Sequence, residues 1–348
     1  MTANTLRVAI IAPCWFAVPP LGYGGIERIV ALLADGLVAK GHEVTLFASG
    51  GSRTDATLVS PFPEPPSPRI GQSNPALEHA LACLVRADEF DVINDHSGAM
   101  AAALLGLARS TPGCHTVHGP LTGEDGRIYH GIASASPQVG LISLSLSQRT
   151  PAADLPWLAN CPNALDLERY RPGDGKDDFV LFLGRMAPEK GPSRAIRAAR
   201  ELGLEIRLAG KLQDIEEVAH FDSEVRPLLG PGVEYLGEVS LDEKVELLQR
   251  ARATIFPISW PEPFGLVMIE SMACGTPVVA TRFGAVPEVI EDGVGGVIVD
   301  DEHDLVAGLE RALVMSGADA RDVAVRRFSP GRMVDDYTDA YARLLAST

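Results

Sequence analysis

The sequence predicts an α/β protein of two doubly wound domains, each a parallel sheet with helices on both faces. Three observations carry this prediction. Short β-branched runs alternate with amphipathic helical segments. The strand candidates are apolar throughout, as strands buried on both faces are. The pattern restarts after a polar, proline-rich stretch at 161–173. With 348 residues, the chain also has the length of two domains of roughly 150 to 200 residues.

The first domain is predicted over 1–165. It opens with the strand candidate 7–12, which ends in a loop rich in proline and glycine. A helix is predicted over 26–40, because apolar residues recur there at helical spacing and a glycine follows as a stop. The segment 61–68 carries five prolines in eight residues, so we predict a stiff surface loop. The other strand candidates are 44–48, 91–94, 115–117 and 140–143, and helical stretches are predicted near 75–88 and 98–109.

The second domain is predicted over 166–328 and repeats the same alternation. The last segment, 329–348, is predicted to form a helix that packs back on the first domain. The strand candidates of the second domain are 179–184, 205–209, 233–236, 253–256, 277–280 and 296–299. Helices are predicted at 190–201, 241–251, 265–274, 285–291 and 303–315.

Charge and cysteine usage narrow the class of protein. The chain has 30 Lys and Arg against 46 Asp and Glu, a formal net charge of −16, so nucleic acid and anionic membranes are not expected as large partners. The five cysteines are scattered and form no Cys-x-x-Cys pair, which indicates neither a disulfide framework nor a zinc site. We find no signal peptide and no membrane span, and we expect a cytoplasmic enzyme.

The strongest functional motif is Pro261–Glu270, which follows a predicted strand. Pro263 and Gly265 predict a tight entry to a helix, whose first N–H groups are free to bind an anion. If the whole segment were helical, Glu262 and Glu270 would be about 12 Å apart along the axis. That distance matches the span from a sugar hydroxyl across a diphosphate to a ribose, so each carboxylate could hold one sugar. The competing interpretation is two solvated glutamates at a helix end.

A second loop, Gly184–Gly191, places two cations after another predicted strand. Arg185 offers a planar fork for two phosphate oxygens, and Lys190 supplies a compact charge. Together they could neutralise a leaving diphosphate without Mg²⁺. The competing interpretation is a solvated pair on a surface loop. Three further arginines are assigned to the polar face of the following helix and given no role: Arg194, Arg197 and Arg200.

The first domain contributes a glycine loop and a histidine. Gly24 and Gly25 follow the first predicted strand and would let the backbone approach a ligand closely. A simple connecting turn is the competing interpretation, because the loop lacks the third glycine of a G-x-G-x-x-G fingerprint. His118 ends a predicted strand and is a candidate site residue, although a single histidine is more often structural. Asp95 and His96 also end a strand, but their spacing indicates no specific task.

These motifs resemble those of the retaining glycosyltransferases of family 4, over nearly the whole chain. The family's E-x7-E element matches Glu262 to Glu270, and its G-R-x-x-x-x-K-G element matches Gly184 to Gly191. The resemblance implies the GT-B architecture, two Rossmann-like domains that face each other across a cleft. The sequence contains no Walker phosphate loop, G-x-S-x-G elbow or His-Glu-x-x-His helix. Further matching segments are 273–279, 284–288 with Gly293, and the hinge 162–166, which has Ala164 where the family usually has glycine.

The resemblance implies a metal-independent enzyme without a cofactor, which moves a hexosyl group from a UDP- or GDP-hexose to a small-molecule or glycan acceptor. It assigns the donor diphosphate to Arg185 and Lys190 and the donor sugar to Glu262. It also implies that domain closure brings His118 to the transferring sugar, with front-face transfer and retention of configuration. The remaining implied donor-binding residues are Gly24, Gly25, Phe264, Gly265, Leu266 and Glu270.

Two other functions stay open at this point. One is a non-catalytic subunit that binds nucleotide sugars and keeps the fold. The other is an epimerase of nucleotide sugars with the same architecture. The residues do not identify the base, the sugar, the acceptor or the oligomeric state.

Overall fold

The computed structural model describes residues 5–22, 24–108, 111–212 and 214–347. The chain divides into two compact units, residues 1–164 with 330–348, and residues 165–329. Each unit is built on one sheet, and its strands pair in parallel. Helices connect most of the successive strands, as parallel pairing requires.

The sheet of the first unit has seven strands in its described part, in the order β3-β2-β1-β4-β5-β6-β7. The strands are β1 Arg7–Ile11, β2 Glu43–Phe47, β3 Thr57–Val59, β4 Val92–Asp95, β5 Gly113–Thr116, β6 Gly140–Ser143 and β7 Trp157–Asn160. The helices between them are α1 Gly25–Ala39, α2 Ser73–Leu84, α3 Ala99–Leu105 and α4 Gly123–Ala135. Residue 109, the end of the helical stretch predicted over 98–109, lies outside the described residues.

The sheet of the second unit has six strands among the described residues, in the order β10-β9-β8-β11-β12-β13. The strands are β8 Phe179–Leu183, β9 Glu205–Ala209, β10 Val233–Tyr235, β11 Thr254–Phe256, β12 Val278–Thr281 and β13 Gly296–Val299. The helices are α5 Pro192–Glu201, α6 Ile215–His220, α7 Leu241–Arg250, α8 Leu266–Ala273, α9 Val286–Val289, α10 Leu305–Ala312 and α11 Gly317–Arg327.

The last helix of the chain, α12 (Pro330–Ala346), belongs to the first unit. Its Tyr337 and Tyr341 are fully buried. The Tyr341 hydroxyl accepts a hydrogen bond from Asn94 Nδ2 at 2.8 Å, and the Tyr337 hydroxyl lies 3.1 Å from Thr116 Oγ1. Both polar partners lie on strands, so α12 is anchored on the sheet of the first unit by apolar packing and by paired polar groups.

The strand order decides where ligand-binding loops can meet. In a parallel sheet, loops that follow neighbouring strands meet at the carboxyl edge. In the second unit, β8 and β11 are neighbours, and the loops after them carry the two charged motifs. In the first unit, β1, β4 and β5 are neighbours, and the loops after them carry the glycines and the histidines. Within the described residues, no helix combines the length and the apolar character needed to cross a membrane.

Candidate active site

The loops after β8 and β11 are joined by hydrogen bonds. The backbone N–H of Ser259 donates to the carbonyl of Glu189 at 2.8 Å. Arg194, in the first turn of α5, donates from Nε to the carbonyl of Pro257 at 2.9 Å and from Nη2 to Ser259 Oγ at 3.2 Å. The two motifs that the sequence analysis treated separately therefore belong to one constellation.

Arg194, which the sequence analysis placed on the polar face of this helix without a role, is only 19% exposed and connects the two loops. Its guanidinium turns back over the loop, and burial lowers its pKa below the ordinary value. A cation in the first turn of a helix lies near the positive end of the helix dipole, which is unfavourable without a partner. This placement is the sequence signal that could have pointed to a specific task for Arg194.

Lys190 and Glu262 form an ion pair at the centre of this constellation. Lys190 Nζ donates to Glu262 Oε2 at 2.5 Å, and the side chains are only 15% and 12% exposed. The ammonium also lies 4.3 Å from the centroid of the Trp260 ring, so both the indole face and the Glu262 carboxylate stabilise it. Trp260 Nε1 is buried and has no hydrogen-bond partner among the described residues. Neither Lys190 nor Glu262 is a solvated surface residue.

Glycines shape the backbone around Glu262. Gly265 has φ +83°, a left-handed conformation that starts α8 without a side-chain cap. The first N–H groups of α8 are therefore free of any capping side chain. A Cβ on Gly284 would lie 2.3 Å from the carbonyl oxygen of Glu262, and the N–H of Ala285 donates to that oxygen at 2.9 Å. Phe264 is buried and packs edge-on against Phe328.

Glu270, on α8, is buried rather than solvated. Its Oε1 accepts hydrogen bonds from the Tyr170 hydroxyl at 2.8 Å and from Lys244 Nζ at 2.5 Å. Both contacts fall on Oε1, so Oε2 is the oxygen available to a ligand. The solvated interpretation of the two motif glutamates is therefore excluded. Sequence reasoning missed Tyr170 and Lys244, because they come from distant segments and match no motif.

Arg185 contacts two other carboxylates. Its Nη1 donates to Glu217, and its Nη2 donates to Glu189 at 3.1 Å. Glu217 is buried on α6, a helix that the sequence analysis did not predict. Arg185 and Lys190 thus have different acidic partners.

In the first unit, the glycine loop has the close packing that only glycine allows. Gly24 has φ +142°, and an added Cβ would lie 2.8 Å from Pro20 Cγ and 2.9 Å from Glu27 Oε2. Gly25 begins α1, and Tyr23 between Gly22 and Gly24 lies outside the described residues. Glu27 is buried, and burial raises its pKa to about 7. This carboxyl therefore titrates near neutral pH.

His118 is half-buried in the loop after β5, and its Nε2 lies 3.0 Å from Nδ1 of His96. Burial, with a smaller effect of His115, lowers the pKa of His118 to about 3, so its ring is neutral near pH 7. Asp95 instead pairs with His115 Nδ1 at 2.5 Å, and His115 Nε2 lies 2.8 Å from the Tyr129 hydroxyl. His96 thus contacts a predicted site residue directly, and Asp95 does not.

Two protein-family descriptions match the chain, and both are of glycosyltransferases. Residues 168–324 match the family described as Glycosyl transferases group 1, and residues 23–148 match the family described as Glycosyltransferase Family 4. The charged motifs lie in the first match, and the glycine loop and the histidines lie in the second.

Similar proteins and similar solved structures are also glycosyltransferases. The chain is 34% identical over 208 residues to a D-inositol 3-phosphate glycosyltransferase of Mycobacterium avium (strain 104), covering 52% of the chain and 48% of that protein, about half its length. It is 29% identical to a phosphatidyl-myo-inositol mannosyltransferase of Mycolicibacterium smegmatis, and the match covers 87% of the chain and 84% of that protein. The crystal structure of AviGT4, a glycosyltransferase involved in avilamycin A biosynthesis, superimposes with a TM-score of 0.75 at 28% identity and covers 99% of each chain.

Proposed function

The chain belongs to the family-4 type of glycosyltransferases with the GT-B fold, and on this basis we propose its reaction. It transfers a hexosyl group from a UDP- or GDP-hexose to an acceptor hydroxyl, and the anomeric configuration is retained. A mannosyltransferase among its relatives supports a hexosyl donor. The reaction needs no metal and no further cofactor. The proposed location is the cytoplasm, which suits five buried cysteines that are all free thiols.

The ion pair of Lys190 and Glu262 carries this proposal. It brings a cation from one motif and a carboxylate from the other to within 2.5 Å of each other, beside the uncapped start of α8. A nucleoside-diphosphate sugar has the matching chemistry, because its anionic diphosphate is joined directly to a sugar that carries hydroxyls. Lys190 would turn to a phosphate oxygen, and Glu262 would accept from sugar hydroxyls.

Glu270 and Arg185 would bind other parts of the same donor. Glu270 would accept a ribose hydroxyl on Oε2, while Lys244 and Tyr170 hold Oε1 in place. Arg185 would add a second cation to the diphosphate. Charge that develops on the leaving phosphate would be stabilised by these cations and by the N–H groups at the start of α8, all held in place before the reaction.

The proposed mechanism is front-face transfer. The bond from the anomeric carbon to the leaving phosphate oxygen breaks, and the acceptor oxygen forms its bond on the same face. The departing phosphate oxygen takes the proton of the acceptor hydroxyl. No carboxylate is assigned as a covalent nucleophile. His118, Gly24 and Gly25 are proposed as further donor-binding residues, contributed by the first unit.

Turnover with a panel of UDP- and GDP-hexoses and hydroxyl acceptors tests the proposal. Release of nucleoside diphosphate, together with a product whose anomeric configuration matches the donor by NMR, would support it. Glu262→Ala should abolish release while leaving the fold intact. Binding without any release would indicate a non-catalytic subunit, and conversion of one nucleotide sugar into its epimer would indicate an epimerase.

A further inference from the structure

Two histidines from neighbouring strand ends share one hydrogen bond in the first unit. His96 follows β4, His118 follows β5, and His96 Nδ1 lies 3.0 Å from His118 Nε2. His96 is only 1% exposed, and its other nitrogen, Nε2, is buried without a hydrogen-bond partner among the described residues. His118 Nδ1 likewise has no hydrogen-bond partner in the part of the chain that the structure describes.

Both rings are neutral, because burial lowers the pKa of His118 to about 3 and holds the pKa of His96 well below its ordinary value. The buried carboxylate next to them does not alter this. Asp95 Oδ2 accepts from His115 Nδ1, and Asp95 Oδ1 accepts from Ser97. His115 Nε2 lies 2.8 Å from the Tyr129 hydroxyl. This neighbouring network is complete without a proton from His96.

A neutral imidazole carries one proton, so the shared hydrogen bond has two possible directions. If His118 donated from Nε2, the proton of His96 would lie on its Nε2, a buried N–H without an acceptor. If His96 donates from Nδ1, its buried Nε2 is only an unpaired lone pair. Buried N–H groups without partners are the rarer and more costly case. The geometry therefore favours donation from His96 Nδ1 to His118 Nε2.

We propose that His96 is a positioning residue that fixes His118 as the tautomer with its hydrogen on Nδ1. His118 then presents an N–H donor, not a bare lone pair, to its ligand. Given the proposed transferase function, that ligand is an oxygen of the transferring sugar, either a hydroxyl or an oxygen on which charge develops. His96 itself, buried beside the Tyr337 ring, does not touch the donor.

The tautomer can be measured without any substrate. Long-range ¹H–¹⁵N correlation spectra of the full chain with ¹⁵N-labelled histidine distinguish protonated from bare ring nitrogens, and His96→Asn and His118→Asn assign the signals. We expect both His96 and His118 to carry their hydrogens on Nδ1. A hydrogen on His118 Nε2 would overturn the proposal. This readout is independent of whether the chain transfers hexose.

Two substitutions of similar size test the consequence for catalysis. An asparagine amide nitrogen lies close to the position of a histidine Nδ1, so His96→Asn keeps the donor and His96→Leu removes it. We expect His96→Asn to retain kcat within a few-fold. His96→Leu should lose kcat at least about tenfold, with a smaller change in donor KM.

The outcome separates positioning from packing. Circular dichroism and Tm of both variants show whether each is folded. Equal losses in the two folded variants, or full activity of His96→Leu, would contradict the proposed role of His96. Absence of turnover in the wild-type chain would count against the transferase function alone, because the NMR measurement still decides the tautomer.

Discussion

The Nζ atom of Lys190 lies 2.5 Å from Oε2 of Glu262, although the two residues are 72 positions apart in the chain. The pair exists because β8 and β11 are neighbours in the sheet, and because Ser259 and Arg194 hold the two loops together. Both side chains are mostly buried, which makes the interaction stronger than one between solvated residues. A phosphate-bearing sugar can replace each partner with one of its own groups.

Trp260 should matter because its ring supports the Lys190 ammonium. Replacing it with leucine removes a cation–π contact of 4.3 Å. We expect the donor Kd of Trp260→Leu to rise about threefold to tenfold, while Trp260→Phe stays closer to wild type. Trp157→Leu is the matched control, since that ring contacts Arg149 in the other unit. Donor binding by calorimetry checks this, and equal Kd values for Trp260→Leu and wild type would contradict it.

Arg185 is expected to bind the donor diphosphate. Arg185→Ala should weaken binding of nucleoside diphosphate at least about tenfold, because a charge-assisted hydrogen bond is lost. It should also lower Tm, because the buried carboxylate of Glu217 loses a cationic partner. Arg197→Ala, on a 59% exposed side chain paired with Glu224, is the control. Unaltered affinity in Arg185→Ala would remove this residue from the phosphate site.

Glu270 should recognise the ribose. Its Oε1 is occupied by Tyr170 and Lys244, so a ribose hydroxyl is expected at Oε2. The wild-type chain should therefore bind a ribonucleoside diphosphate more tightly than its 2′-deoxy or 3′-deoxy analogue. Glu270→Gln should reduce that difference severalfold, because a neutral amide is a weaker partner for a hydroxyl. If the variant kept the full discrimination, the ribose assignment would be wrong.

Glu27 should make folding stability depend on pH. Burial raises the pKa of its carboxyl from 4.5 to about 7 in the folded chain. Between these values the folded state keeps a proton that the unfolded state has lost, so stability falls as pH rises from about 4.5 to about 7. At about 1.4 kcal/mol per pKa unit, the loss amounts to roughly 3 kcal/mol.

Glu27→Gln should not show this loss. Urea unfolding at pH 5 and pH 8 gives the difference in free energy between variant and wild type at each pH. The free energy of unfolding of the glutamine variant should increase relative to that of wild type between pH 5 and pH 8. The same difference at both pH values would show that Glu27 does not titrate in this range.

The sequence predicted most strands of the fold, because buried parallel strands are short apolar runs between glycines and polar residues, but it did not predict Thr57–Val59 and Trp157–Asn160. Gly140–Ser143, Glu205–Ala209 and Gly296–Val299 have the predicted bounds. Three helices were not predicted, Gly123–Ala135, Ile215–His220 and Gly317–Arg327, and the two longer ones have weak patterns. Gly123–Ala135 contains two internal glycines, and Gly317–Arg327 has few apolar residues. Tertiary packing, not helical propensity, stabilises such segments.

Site residues were predictable from the sequence where they belong to one motif. They were not predictable where residues far apart in the sequence come into contact only in the folded chain. The E-x7-E spacing was sufficient to single out Glu262 and Glu270. Arg194 was missed because its partners lie in distant segments, among them the carbonyl of Pro257 and the side chains of Ser259 and Glu302, which no local pattern reveals. The contact of His96 with His118 depends on β4 and β5 being neighbours, and only the strand order shows that.

The most direct test of donor recognition is calorimetric titration of wild type and Glu262→Gln with a nucleoside diphosphate and with its hexose conjugate. The substitution frees Lys190 for phosphate and weakens the group that accepts sugar hydroxyls. We expect Glu262→Gln to bind the diphosphate as tightly as wild type or more tightly. The advantage of the hexose conjugate over the diphosphate should fall about tenfold. Glu310→Gln, an exposed control, should match wild type. Equal losses for both ligands, or an unchanged advantage of the conjugate, would contradict the assignment of Glu262 to the sugar.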